Sequence, residues 1–319
     1  MDVLRKVVRS QRSLLVVLAA TLAGVVAPTL AAPLQPTIPA LVAGLIFTSF
    51  YGFDSAALTG RGRNVSVPVV LSLGCLYLLT PLALYPVAAT VLSGDLLLGV
   101  LIVLAAPLTA GSSIIWTRLS GGNALLATVI ALVSLLIAPL AMPSLIALFA
   151  DSTVDIAASE ILVDLGAIIL GGGLLAVFVP DDAISDDRLD AFSLATIGIL
   201  IYAGVGASGG AIDVLELAFV SGLAVAALGL SAGLAYVLYA RGLRSDDCIS
   251  VLFSSSMKNL SVSVMVGAMF GGGAIVAGIT AFHVVQQIVS SSLVHRLAAV
   301  TSTATTQSPQ PVTTGQADD

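Results

Sequence analysis

Residues 246–271, DDCISVLFSSSMKNLSVSVMVGAMFG, are long enough to cross a membrane, yet their middle carries the polar run Ser254-Ser255-Ser256-Met257-Lys258-Asn259. Read as one helix, the stretch puts Lys258 about 15 Å from either end at ~1.5 Å per residue, near the midplane of a hydrocarbon layer roughly 30 Å thick. A lysine stem cannot snorkel that far. A charge at that depth costs at least ~2.5 kcal/mol and normally faces a cavity or a partner. Lys258 is therefore the first candidate functional residue, ahead of a lysine buried against a carboxylate for packing alone.

The rest of the chain supports the membrane reading. Hydrophobic residues fill 58% of the 319 positions, charged residues 9%, and the mean hydropathy is +1.09. This excludes an ordinary soluble domain and implies a polytopic membrane protein in contact with the lipid bilayer. Long apolar runs, with no alternation over ten residues, predict helices and not barrel strands, so the fold class is all-α. Cys75 and Cys248 lack metal-ligand spacing and read as packing residues. The net charge of -6 comes from acidic loops such as Asp181-Asp182 and Asp186-Asp187. Nothing in this balance points to a nucleic-acid partner.

Ten spans are expected, near 14–32, 37–53, 65–92, 95–119, 123–149, 158–179, 189–208, 212–240, 248–270 and 274–297. A cleavable leader is the competing reading of the first, but about 19 apolar residues are long for one. Pro81 and Pro86 should kink the third span, and Pro107, followed by Thr109, Gly111, Ser112 and Ser113, should break the fourth. Gly171-Gly172-Gly173 in the sixth offers a place for another helix to approach closely. With the N terminus inside, Arg61, Arg63, Arg118, Arg188, Arg241, Arg244 and Arg296 all fall at cytoplasmic ends, which predicts that both termini are cytoplasmic.

Five helices followed by five of opposite orientation form an inverted repeat, 1–150 and 151–298, with a disordered Thr- and Pro-rich tail over 299–319. The fourth member of each half is the interrupted one. Discontinuous helices in matching positions are the sequence pointer to a transport site at mid-bilayer, where half-helix N termini favour anions and carbonyl ends favour cations. Thr109, Ser112, Ser113, Ser254 and Ser255 are candidate contributors.

At these residues the chain resembles the bile acid:sodium symporter family. Ala106-Pro107-Leu108-Thr109-Ala110-Gly111-Ser112 is similar to that family's PGGTASN element in the fourth helix. Asn123-Ala124-Leu125, and Ala138-Pro139-Leu140 with Pro143, are similar to its GNVAL and APLLTP patterns in the fifth. Met257-Lys258-Asn259 resembles the MQN of its broken ninth helix, and residues 282–292 resemble the stretch of the tenth that carries a His-Asn or His-Gln pair. The resemblance implies a panel of helices one, two, six and seven beside a core of the other six, with alternating access between them. It implies substrate contacts from Thr109, Asn259, Gln286 and Gln287, and two bound sodium ions with no other cofactor.

Three departures from the family pattern weaken the sodium sites. Ser254 stands where the family has a glutamate, and Lys258 where it has the glutamine of MQN. Gly111-Ser112 replaces a Ser-Asn pair, or Ser112-Ser113 does if the register slips by one, while fifth-helix hydroxyl positions read Ala131 and Leu135. A site that loses a carboxylate and gains an ammonium should not hold a hard cation well. The expectation is a carrier of a small organic anion in which Lys258, with Ser254 and Ser255 beside it, replaces sodium. The lysine would serve either as a fixed internal cation or as a group that exchanges a proton. A cation or proton antiporter of the same plan is the alternative, and a membrane-embedded enzyme a more distant one. No HExxH and no paired intramembrane aspartates occur, and His283 and His295 are the only histidines.

Overall fold

Proline decides where the first helices stop. The structure, a computed structural model, describes residues 12–51, 65–149, 158–180, 183–206, 213–270 and 273–306. Helix α1 (Arg12–Val26) ends just before Pro28. The 3-10 turns Pro28–Leu30 and Ala32–Thr37 then lead through Pro33 and Pro36 into α2 (Ile38–Phe50). Each proline removes a backbone donor, so the first span stops short of the expected residue 32.

The third span is α3 (Ser66–Gly74), a π turn (Cys75–Leu79) and α4 (Thr80–Ala89). The π turn lies directly ahead of Pro81. Thr80 N–H reaches back to the Cys75 carbonyl, and Pro81 has no N–H to offer the carbonyl of Leu76. One oxygen is thereby released from the helix ladder in mid-span, while Pro86 is absorbed inside α4.

The fourth span is broken, as expected, into α5 (Gly94–Ala105) and α6 (Ala110–Leu119). Helix α7 (Ala124–Phe149) runs through Pro139 and Pro143 without a break and is followed by α8 (Ala158–Phe178), α9 (Asp186–Gly206) and α10 (Val214–Ala240). The second interruption separates α11 (Ser245–Ser256) from α12 (Leu260–Met269), and α13 (Gly273–Thr306) closes the described chain. Helix α13 overruns the predicted start of the disordered tail at 299, because neither glycine nor proline occurs between 298 and 306 to stop it. Residues 307–319 lie outside the described residues, as do the connections carrying Arg61, Arg63, Asp151 and Asp155.

Among the described residues, six helices are long and apolar enough to cross a bilayer: Ser66–Ala89, Ala124–Phe149, Ser159–Phe178, Asp187–Gly206, Val214–Ala240 and Gly273–Val294. The four half-helices at the breaks are ten or twelve residues each. At ~1.5 Å per residue each reaches about half-way through the hydrocarbon. Leu140, Leu170 and Val177 are exposed on the outer helix faces, as lipid-facing side chains are in a multi-pass membrane protein.

The helices can be followed as two packed groups, which meet where α8 packs on α7 and α9 on α13. Helix α1 packs on α9, and α2 packs on α8 and α9, forming a four-helix layer. A Cβ on Gly172 of α8 would lie 2.8 Å from Ile46 Cγ2 and 3.0 Å from the Ala43 carbonyl, so the glycine run is where α2 comes close. Within this layer Tyr51 Oη donates to the Pro180 carbonyl at 2.5 Å and Gln35 Nε2 to the Ala203 carbonyl at 2.9 Å. The second body holds α3 to α7 and α10 to α13. There Tyr85 Oη donates to the Phe149 carbonyl at 2.8 Å, and α5 lies against α13 so closely that a Cβ on Gly99 would sit 2.5 Å from the Ile275 carbonyl.

Gly99→Ala forces backbone apart and is expected to cost ~1–3 kcal/mol, lowering the apparent melting temperature in detergent. Gly222→Ala, where a Cβ meets nothing within 4 Å, should leave that temperature unchanged or slightly raised. Equal melting of the two variants would contradict the α5–α13 packing.

Candidate functional site

Breaking two helices inside a bilayer leaves backbone donors and acceptors that no water can serve, and each unpaired group costs several kcal/mol, on the order of 2–7. The two breaks meet and serve one another. Ala106 and Thr109 flank the first in extended conformation, Met257 and Asn259 the second. The segments run antiparallel with Leu108 opposite Lys258. Asn259 N–H donates to the Pro107 carbonyl at 2.8 Å, and Thr109 N–H to the Met257 carbonyl at 3.0 Å.

The outward-facing groups of the crossing are met from neighbouring helices in a matched way. Leu108 N–H donates to Ser134 Oγ of α7 at 2.8 Å. Lys258 N–H donates to Gln286 Oε1 of α13 at 3.0 Å, and Gln286 Nε2 returns a longer bond of 3.4 Å to the Lys258 carbonyl. Asn259 caps α12, its Oδ1 accepting from Val262 N–H at 3.1 Å.

The Lys258 side chain enters the body of the protein and is 1% exposed. Its Nζ donates to the carbonyls of Leu104 at 2.6 Å, Leu76 at 2.8 Å and Ala106 at 3.3 Å. An ammonium has three donors, and these three oxygens receive them. Each oxygen has a reason to be available. Pro81 and the π turn release Leu76. The N–H of Leu108, which would meet Leu104 in a continuous helix, is turned to Ser134. Ala106 lies just past α5, whose C-terminal end carries the negative pole of the helix dipole. The ring of Tyr77 adds a face 5.9 Å from Nζ. Asp164 of α8 is exposed, and Lys258 Nζ is held by main-chain oxygen.

The other candidates divide. Thr109, Lys258, Asn259 and Gln286 come together at the crossing. Ser113 Oγ folds back on the Thr109 carbonyl at 2.6 Å, and Ser255 Oγ on the Val251 carbonyl of its own helix. Ser254 Oγ is buried without a hydrogen-bond partner. Ser112 is half-buried beside Gly111, which is exposed and whose Cβ would meet nothing within 4 Å. The first turn of α6 is thus open at Gly111, while Ala110 and Ser113 are buried, and it has no side-chain cap. Gln287 leaves the crossing: its Oε1 accepts from Trp116 Nε1 at 2.9 Å, and its Nε2 lies 3.2 Å from His283 Nε2. Sequence reasoning missed Ser134, Tyr77 and Trp116, and above all the three carbonyls. For Leu76 the available signal was Pro81, five residues on.

Gln286→Leu strips both side-chain partners from the buried Lys258 peptide, at ~1–3 kcal/mol for each group left unsatisfied. Ser134→Ala strips one, from Leu108. Both should lower the melting temperature in detergent, Gln286→Leu by more. A Gln286→Leu protein as stable as the wild type would rule out the brace.

Residues 54–212 match the model of the Sodium Bile acid symporter family. No curated protein matches the chain. The matched region spans α3 to α9, including the first broken helix and Ser134, and ends before α11, so the lysine-bearing break lies beyond it. By that match the chain belongs to the Sodium Bile acid symporter family of membrane transporters, as its fourth- and fifth-helix motifs suggest.

Proposed function

We propose that this protein is a secondary transporter that carries a small organic anion by alternating access, with the Lys258 ammonium permanently in the role that sodium plays in the family it belongs to. In this reading ten spans form two inverted five-helix repeats, 1–150 and 151–298, with both termini in the cytoplasm. The matched breaks, each braced by the helix that follows it in the chain through Ser134 or Gln286, support the repeat. The four-helix layer of α1, α2, α8 and α9 corresponds to the moving panel.

The observation that carries the proposal is Lys258 Nζ within hydrogen-bond distance of three main-chain oxygens. A sodium ion would seek such oxygens, and a tethered cation already holds them. All three belong to α5, its C-terminal extension or the π turn, inside one body. Motion of the layer leaves these bonds intact, which favours a fixed cation over a group that gives up a proton in each cycle. An anion is favoured as cargo by the uncapped, open N-terminal turn of α6, where the helix dipole is positive.

A thermal-shift screen with acetate, pyruvate, benzoate and methanesulfonate, run in sodium and in choline chloride, should find an anion that stabilises the protein equally in both salts. Uptake of that anion into proteoliposomes should fall about tenfold or more in Lys258→Gln, the factor equivalent to ~1.4 kcal/mol. Stabilisation that requires sodium, or a Lys258→Gln protein that transports normally, would contradict the proposal.

A further inference from the structure

Trp116, Gln287 and His283 form a buried polar cluster that the crossing does not use. Trp116 stands on α6, and the other two lie one turn apart on α13. An indole N–H can only donate, so the Gln287 atom 2.9 Å from it is the amide oxygen. The amide NH₂ then faces His283 Nε2 at 3.2 Å, and it too can only donate. His283 Nε2 must therefore carry a lone pair, which places the ring proton on Nδ1. That Nδ1 is buried without a hydrogen-bond partner.

The location of His283 tells where a partner would come from. Seven residues make almost two full turns, so Val276 and His283 lie on the same face of α13, with Gln287 one further turn along it. Val276 packs against Gly204 of α9, where a Cβ would come within 2.1 Å of Val276 Cγ1. Val276 thus lies on the seam between the four-helix layer and the second body, the surface that the proposed alternating access would open, and His283 follows it on the same face of α13. An oriented donor left unpaired on that face in the closed arrangement is costly unless another step of the cycle pairs it.

We infer that His283 is a solute-binding residue whose Nδ1–H, oriented by the Trp116–Gln287 pair, donates to an anionic oxygen of the transported solute when the seam opens. This rests on the transport reading above and adds a residue to the four substrate contacts that the family resemblance implied, Thr109, Asn259, Gln286 and Gln287.

Two variants separate donor position from packing. The amide nitrogen of His283→Asn falls near the place of Nδ1, while that of His283→Gln falls near Nε2. Apparent affinity is read from the dependence of the melting temperature on acetate, pyruvate, benzoate or methanesulfonate concentration. An anion that stabilises the wild type should bind His283→Asn comparably and His283→Gln about tenfold more weakly, the order expected for one buried hydrogen bond. In ¹⁵N-histidine NMR of the wild type, with only His283 and His295 contributing, the His283 signal should show Nδ1–H and shift when that anion is added. Equal affinity in both variants, an unmoved Nδ1 resonance, or a proton on Nε2 would overturn this inference and leave the transport reading standing. Failure of all four anions to stabilise the wild type would overturn both.

Discussion

Inside a bilayer every peptide group must find a partner in the protein, and this chain interrupts two helices at the depth where that demand is hardest to meet. Its solution is reciprocal. The strand-like residues of each break pair with those of the other, a hydroxyl and an amide close the two outward N–H groups, and a lysine ammonium closes the carbonyls left over. Remove any one of these and a buried group is stranded. The crossing is thus a set of mutual dependencies, and neither half-helix pair has an obvious reason to stay broken alone.

The cation in this set differs in kind from a bound metal. It is delivered by the chain, sits at the negative pole of α5, and has no path to leave. In a sodium-coupled carrier the ion's arrival and departure link the gradient to the cycle. In the function proposed above, a tethered ammonium would preserve the electrostatic balance of the crossing and forgo that link. The packing fits that proposal: the lysine and its acceptors lie in the same group of helices, while the seam with α9 is apolar at Gly204 and Val276.

Much of this was legible in the residues. Pro107 and the Ser-Met-Lys-Asn run marked both breaks, and Gly172 marked a close helix approach, because proline, glycine and intramembrane charge act locally and leave local signatures. What the sequence hid was non-local. Lys258 is satisfied by carbonyls, which have no side-chain identity to read, and one of them lies 182 positions away. Gln286 and Gln287 are neighbours in sequence and looked like one pair. They point to different clusters because adjacent helical residues are about 100° apart.

The burial of the ammonium can be measured without knowing the cargo. The chain has two lysines, Lys6 and Lys258, so reductive methylation of the folded protein in detergent, followed by mass spectrometry of the peptides, reads each amine separately. An ammonium held by the carbonyls of Leu76, Leu104 and Ala106 predicts that Lys258 stays unmodified until the protein is denatured, while Lys6 reacts. Modification of Lys258 in the folded protein at the rate of Lys6 would contradict it, and with it the idea that a tethered cation closes the crossing.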